Sequence, residues 1–204
     1  MRALKRLAAA TAMAGLLLVP AAAASASAAR TAAPSWVTLR GGVTRVTTAP
    51  GIAPALIKNG IIPVATWPGR ERLRLHGGVA AQFSFPVTGG RVSLSPLAGS
   101  VRHAGGILFI DAATGKSIKV SRFTINLHEG DLTGIVNGNP KARVAIFRLG
   151  LKHAKLAAAA HSVRATGIVL RLTKTAAGAL NASLGTSLFS GGLKFGTAAT
   201  TLRF

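Results

Sequence analysis

Arg122-Phe123-Thr124-Ile125-Asn126-Leu127-His128 sets Phe123, Ile125 and Leu127 on one side and Arg122, Thr124, Asn126 and His128 on the other. Successive side chains of a strand point to opposite faces. A period of two therefore predicts a strand with one face in a core and one in water. Glu129-Gly130-Asp131 then turns the chain, Leu132 to Val136 returns, and Asn137-Gly138-Asn139-Pro140 turns it again. Short strands joined by tight turns are the signature of an antiparallel fold.

The same texture extends both ways. Downstream, Ala142 to Leu151 and Val163 to Thr173 read as strands, and the Ala-rich link Lys155 to Ala160 reads as a helical turn. Upstream, Gly106 to Asp111 and Ser100 to His103 flank Gly105-Gly106, and Asp111 to Lys116 is a hairpin loop. Ala80 to Val87 aligns Phe83 with Phe85 and ends at Pro86 and the turn Thr88-Gly89-Gly90. Val37 to Thr48 is a strand broken at Gly41-Gly42, and Ile61 to Ala65 is extended. Between them Pro50 to Gly60 forms a short helix, with Pro54 in its first turn and Asn59-Gly60 as its stop. The pattern predicts an all-β fold, an antiparallel β-sandwich or barrel with one or two short helices. An internal echo supports a second helix: Arg45-Val46-Thr47, Ala55-Leu56 and Gly60 are matched by Arg171-Leu172-Thr173, Ala179-Leu180 and Gly185. Each copy reads as strand, short helix, strand.

The first residues carry a different message. Arg2, Lys5 and Arg6 precede an apolar run from Leu7 to Val19, and small residues around Ala24-Ser25-Ala26-Ser27-Ala28 suit a cleavage site. This is the layout of a secretory signal peptide. The expected organisation is a leader at 1–28, a loose lead-in at 29–35 and one β-rich domain at 36–204. No segment beyond the leader is apolar for long enough to cross a membrane. The chain has no cysteine, so neither disulfides nor a lipidated cysteine contribute.

Charge is the dominant compositional feature: 25 Lys and Arg against four acids, a formal net charge of +21. The acids are Glu71, Asp111, Glu129 and Asp131. Such a surface attracts polyanions with an affinity that falls as salt rises. For an exported protein those polyanions are anionic cell-envelope polymers, and the residues positioned to meet them lie on outward strand faces and turns. They are Arg70, Arg72, Arg74, Arg102, Lys119, Arg122, Lys141, Arg143, Lys152 and Lys155. Specific nucleic-acid recognition is disfavoured, because aromatic residues are scarce, tyrosine is absent and no finger or helix-turn-helix pattern occurs.

Catalytic signals are weak. His128, Glu129 and Asp131 form the densest polar cluster and would serve a secreted hydrolase, but the turn chemistry of Glu-Gly-Asp accounts for them as well. There is no GxSxG elbow and no phosphate loop. No set of three or four metal ligands is apparent. His76 shares the parity of Arg72 and Arg74 and is expected at the surface. His153 and His161 bracket the Ala-rich link and extend the basic surface, while His103 shares the parity of Val101 and is expected to face the core. The reading is therefore a non-catalytic binding domain without a cofactor, secreted and held non-covalently at the wall.

Two stretches carry a resemblance, Phe85-Pro-Val-Thr-Gly-Gly90 and Gly99-Ser-Val-Arg-His-Ala-Gly-Gly-Ile-Leu-Phe109. They resemble a group of secreted all-β proteins of high-GC Gram-positive bacteria whose activity is not established. More remotely, the chain is similar to HtaA-type domains, surface β-rich modules implicated in haem capture that also carry a Gly-rich strand ending in histidine. That resemblance implies haem as an alternative ligand and His103 as its axial candidate. HtaA-type sites rely on a tyrosine, and this chain has none.

Overall fold

The computed structural model describes residues 35–75 and 78–204. The leader, nearly all of the lead-in and His76 lie outside the described residues. From Trp36 on, the elements are β1 (Trp36–Leu39), β2 (Gly41–Thr48), α1 (Ile52–Lys58), β3 (Ile61–Thr66), β4 (Arg70–Arg74), β5 (Ala80–Leu94), β6 (Leu97–His103), β7 (Gly106–Asp111), β8 (Ser117–Asn126), β9 (Asp131–Val136), β10 (Arg143–Gly150), β11 (Lys155–Ala159), β12 (Ser162–Leu172), α2 (Lys174–Leu184) and β13 (Lys194–Arg203). Every pairing between neighbouring strands is antiparallel.

Eight of these strands close on themselves in the order β5-β6-β8-β9-β10-β12-β13-β2 and back to β5. The fold is the all-β one expected, in its barrel form. Closure depends on a long-range pairing, with Gly41 to Thr48 lying against Arg203 to Gly196. The fifteen-residue β5 serves two walls. Its first half lies between β2 and β4, and its second half lies between β1 and β6. β7 and β3 continue the sheet beyond β8.

The interior follows from the alternation. Phe83, Phe85 and Val87 of β5 face inward, as do Phe123 and Ile125 of β8. Phe85 and Phe123 meet edge to face at 5.0 Å, and Phe147 packs 5.2 Å from Phe195. An eight-stranded barrel has an interior that side chains just fill. Both helices lie at one end, because α1 follows β2 and α2 follows β12 where those strands leave the barrel. Leu56, Leu180 and Leu184 are buried there. Thr173 caps α2 by accepting from Ala176 N at 3.0 Å and also donates to the Ala145 carbonyl at 2.6 Å. Gly185 ends that helix in a left-handed conformation. Strand, helix and strand thus recur towards both ends of the described domain, as β2–α1–β3 and β12–α2–β13, in line with the sequence echo.

Three local expectations need correction. Gly89-Gly90 is not a turn: β5 runs through it to Leu94. Gly90, at φ +143°, lets the backbone approach β6 so closely that a Cβ would lie 2.1 Å from the Ser100 carbonyl oxygen. Lys155 to Ala159 is a strand, because pairing with Ser162 to Thr166 outweighs the helix preference of alanine. The basic stretch Arg70 to Arg74 is a strand paired to β5, in keeping with the parity read for its arginines. The break between β1 and β2 falls at Arg40, whose N–H donates to the Arg203 carbonyl at 2.8 Å. Among the described residues no helix is long and apolar enough to cross a membrane.

Candidate functional site: an arginine-lined cleft on the barrel wall

The outer face of β4, β5, β2, β13 and β12 brings together side chains far apart in sequence. Register places Arg72 opposite Gln82, Gln82 opposite Thr47 and Thr47 opposite Thr197. Arg45 pairs with Ala199, and Thr201 pairs with Arg164. Because strand side chains alternate, these all face away from the core. Together with Arg74 they line a cleft of about 420 Å³. Four arginines converge there, and no acid lines it. Glu71, between Arg70 and Arg72, has the opposite parity, and its carboxylate accepts from Ala65 N at 2.6 Å. Along the same wall Arg70 borders a second recess of about 310 Å³ with the exposed Trp67.

Guanidinium groups with no carboxylate among them repel one another and present several donors to water. An anion entering the cleft relieves that repulsion and accepts charge-assisted hydrogen bonds. Threonine and glutamine between the arginines add neutral donors and acceptors.

Of the ten cationic residues expected to meet polyanions, Arg72 and Arg74 lie in this cleft and Arg70 beside it. The structure does not bring the others to it. Arg102, Lys119 and Arg122 are exposed on β6 and β8, and Lys141 is in the β9–β10 turn. Arg143 is engaged locally, donating to the Arg122 carbonyl, Thr124 Oγ1 and Thr133 Oγ1. Lys152 and Lys155 are on the β10–β11 segment. Sequence reading missed Arg45 and Arg164. Their alternation with Val46 and Val163 marks both as outward, but their place in the cleft depends on β13 lying between β2 and β12.

His103 faces inward as expected. Its Nε2 lies 2.7 Å from Thr44 Oγ1, which is 2.8 Å from Thr200 Oγ1. Its Nδ1 is 3.4 Å from the Phe123 carbonyl. Burial lowers the pKa of His103 to about 4, against a smaller opposing effect of hydrogen bonds to the Phe123 and Val101 backbone. The cavity beside the ring, about 20 Å³ between side chains such as Phe85 and Phe195, has room for about one water. A porphyrin does not fit there, and neither ring nitrogen is presented to the surface.

His128 and Glu129 are exposed on the β8–β9 turn, and Asp131 opens β9 with its Oδ1 buried and unpartnered. None of the three lines the cleft, the recess or the His103 cavity. Among the described residues no three His, Asp or Glu side chains lie together as a metal-binding set.

No protein-family model matches the chain, and no curated protein does. Among solved structures it is similar to the crystal structure of the C-terminal domain of HtaA from Corynebacterium glutamicum. The TM-score is 0.54 at 12% identity, over 80% of this chain and 98% of that one. A histidine-to-alanine variant of that domain, solved as a domain-swapped dimer, gives a TM-score of 0.51 at 14% identity, over 76% and 93% of the two chains. At such identities the likeness is one of architecture: this chain shares the fold of the HtaA C-terminal domain.

Proposed function

We propose that the chain is an exported, non-catalytic binding domain that holds an anionic polymer of the cell envelope across the wall formed by β4, β5, β2, β13 and β12. One observation carries this reading: Arg45, Arg72, Arg74 and Arg164 converge on a cleft lined by no acid. A polymer with regularly spaced negative charges spans the arginines better than a small monovalent ion, since each contact adds to the next. The leader-like first residues and the net charge of +21 are consistent with a basic protein working outside the cell. The test is co-sedimentation of the purified protein with cell envelopes across a salt series. Retention at physiological salt that is lost at high salt, and lost after anionic polymers are stripped, supports the reading. Absence of retention at physiological salt overturns it.

Haem is the second reading, supported by the fold shared with the HtaA domain and by the resemblance to HtaA-type modules. It does not run through His103, whose ring is enclosed. An optical titration of the purified protein that produced no Soret shift would remove it.

A further inference from the structure

The recess beside the arginine cleft carries an exposed aromatic face. Trp67, in the turn between β3 and β4, is 83% exposed, more than any other large apolar side chain among the described residues. The turn that carries it is held in place. The Gly69 N–H donates to the Thr66 carbonyl at 2.9 Å, and a Cβ on Gly69 would lie 3.1 Å from the Phe85 ring. Trp67 is thus a flat surface on a fixed support. With Val43, Pro68 and Pro86 it walls the recess, of which Arg70 and Ser84 are the polar members. Ser84 lies between Arg70 on β4 and Arg45 on β2, and Arg45 lines the cleft. Recess and cleft therefore share one outward face and meet at Ser84. Strands lie about 5 Å apart, so the backbones of Arg70 and Arg45 are about 10 Å apart. Among the described residues no acid lines either hollow, and Glu71 has the opposite parity and is engaged with Ala65 N. The breaks in the described chain lie away from the recess along β5. Trp36 pairs with Ser93, up to about 30 Å from Ser84 in one direction, and Arg74 pairs with Ala80, roughly 13 Å in the other.

We propose that Trp67 is a stacking platform for a sugar ring, and that the anionic polymer of the arginine cleft is a glycan built of pyranose units. The inference rests on the cleft reading and adds the class of polymer to it. A pyranose ring presents C–H groups on its face, and these pack against the negative face of an indole. Its hydroxyls stand at the ring edge, where Ser84 and Arg70 can exchange hydrogen bonds with them. Negative groups further along the same polymer then reach Arg45 and the cleft beyond it. A hydrocarbon chain would stay in contact with water here, since the recess is open on its outer side. Single-stranded nucleic acid uses several aromatic side chains for successive bases. Among the described residues Trp67 is the one aromatic side chain that lines the recess or the cleft.

Calorimetric titration with polyanions of matched length tests the proposal. Oligogalacturonate and oligoglucuronate carry one carboxylate per pyranose, oligoglutamate carries one per unit without a ring, and oligothymidylate carries bases. Both glycans should bind more tightly than oligoglutamate. Trp67→Ala should weaken glycan binding about tenfold and leave oligoglutamate unchanged, while Trp67→Phe keeps most of the glycan affinity. The side chain is exposed, so neither substitution disturbs the core. The chain has two tryptophans, and Trp36→Phe leaves Trp67 as the only indole. Its emission in that variant should shift to shorter wavelength with the glycans and stay in place with oligoglutamate. Equal binding of glycans and oligoglutamate that Trp67→Ala does not move would overturn the platform and leave the arginine cleft standing. A larger loss for oligothymidylate than for the glycans on Trp67→Ala would overturn it by assigning the platform to bases. Failure of every polyanion to bind would remove the cleft reading and the platform with it.

Discussion

Replacing His103 with glutamine should remove the main pH dependence of stability between neutral and moderately acid conditions. In the unfolded chain the imidazole titrates near 6.5, and in the barrel it titrates at about 4. Between those values the unfolded state binds a proton that the folded state does not, so stability falls as the pH falls through this window. The stabilisation is fully present above about pH 6.5 and is lost progressively down to about pH 4. At about 1.4 kcal/mol per pH unit the gap amounts to at most about 3.5 kcal/mol, a large part of the stability of a domain this size. The cause is desolvation: among the described residues no charged side chain lines the cavity beside the ring. Urea unfolding of the wild type and of His103→Gln, at steps from neutral pH to about pH 4.5, measures it. The wild type should lose stability along that series while the variant, whatever its starting stability, stays nearly level. Parallel curves would show that His103 is not held neutral by burial.

Three other substitutions probe the frame. Gly90→Ala should cost about 3 kcal/mol or more, or prevent folding, because its Cβ would meet the Ser100 carbonyl oxygen at 2.1 Å; thermal unfolding reads this. Thr173→Ala removes both the N-cap of α2 and a bond to the Ala145 carbonyl and should cost about 1–2 kcal/mol by the same measurement. Phe83→Ala, at a side chain fully enclosed in the core, should cost about 3–5 kcal/mol in urea unfolding.

Features written locally were legible in the sequence. The alternation of Phe123 and Ile125 placed them in the core, and the Asp111 loop follows from its own chemistry. There the carboxylate accepts from the Thr114 hydroxyl and from Ala113 N–H at 2.9 Å. Those bonds hold the Asp111 carboxyl below the usual aspartate range. The first helix was readable from Pro54 and Asn59-Gly60. Features fixed by tertiary pairing were not legible. Gly89-Gly90 has the composition of a turn, yet the crossing of β5 and β6 uses it inside a strand. Lys155 to Ala159 has a helical composition but is held extended by β12. The cleft was half visible: Arg72 and Arg74 stand out in a basic run, while Arg45 and Arg164 join them only because β13 pairs with β2 on one side and β12 on the other.

The most direct test of the central claim compares two variants in the envelope co-sedimentation series. One replaces Arg45, Arg72, Arg74 and Arg164 with glutamine. The other makes the same replacement at Lys119, Lys141, Lys152 and Lys155, which leaves the cleft intact and removes the same charge. The account predicts that the cleft variant loses retention at physiological salt while the lysine variant keeps most of it. Equal losses in both would contradict it, assigning attraction to net charge and leaving the cleft without a binding role.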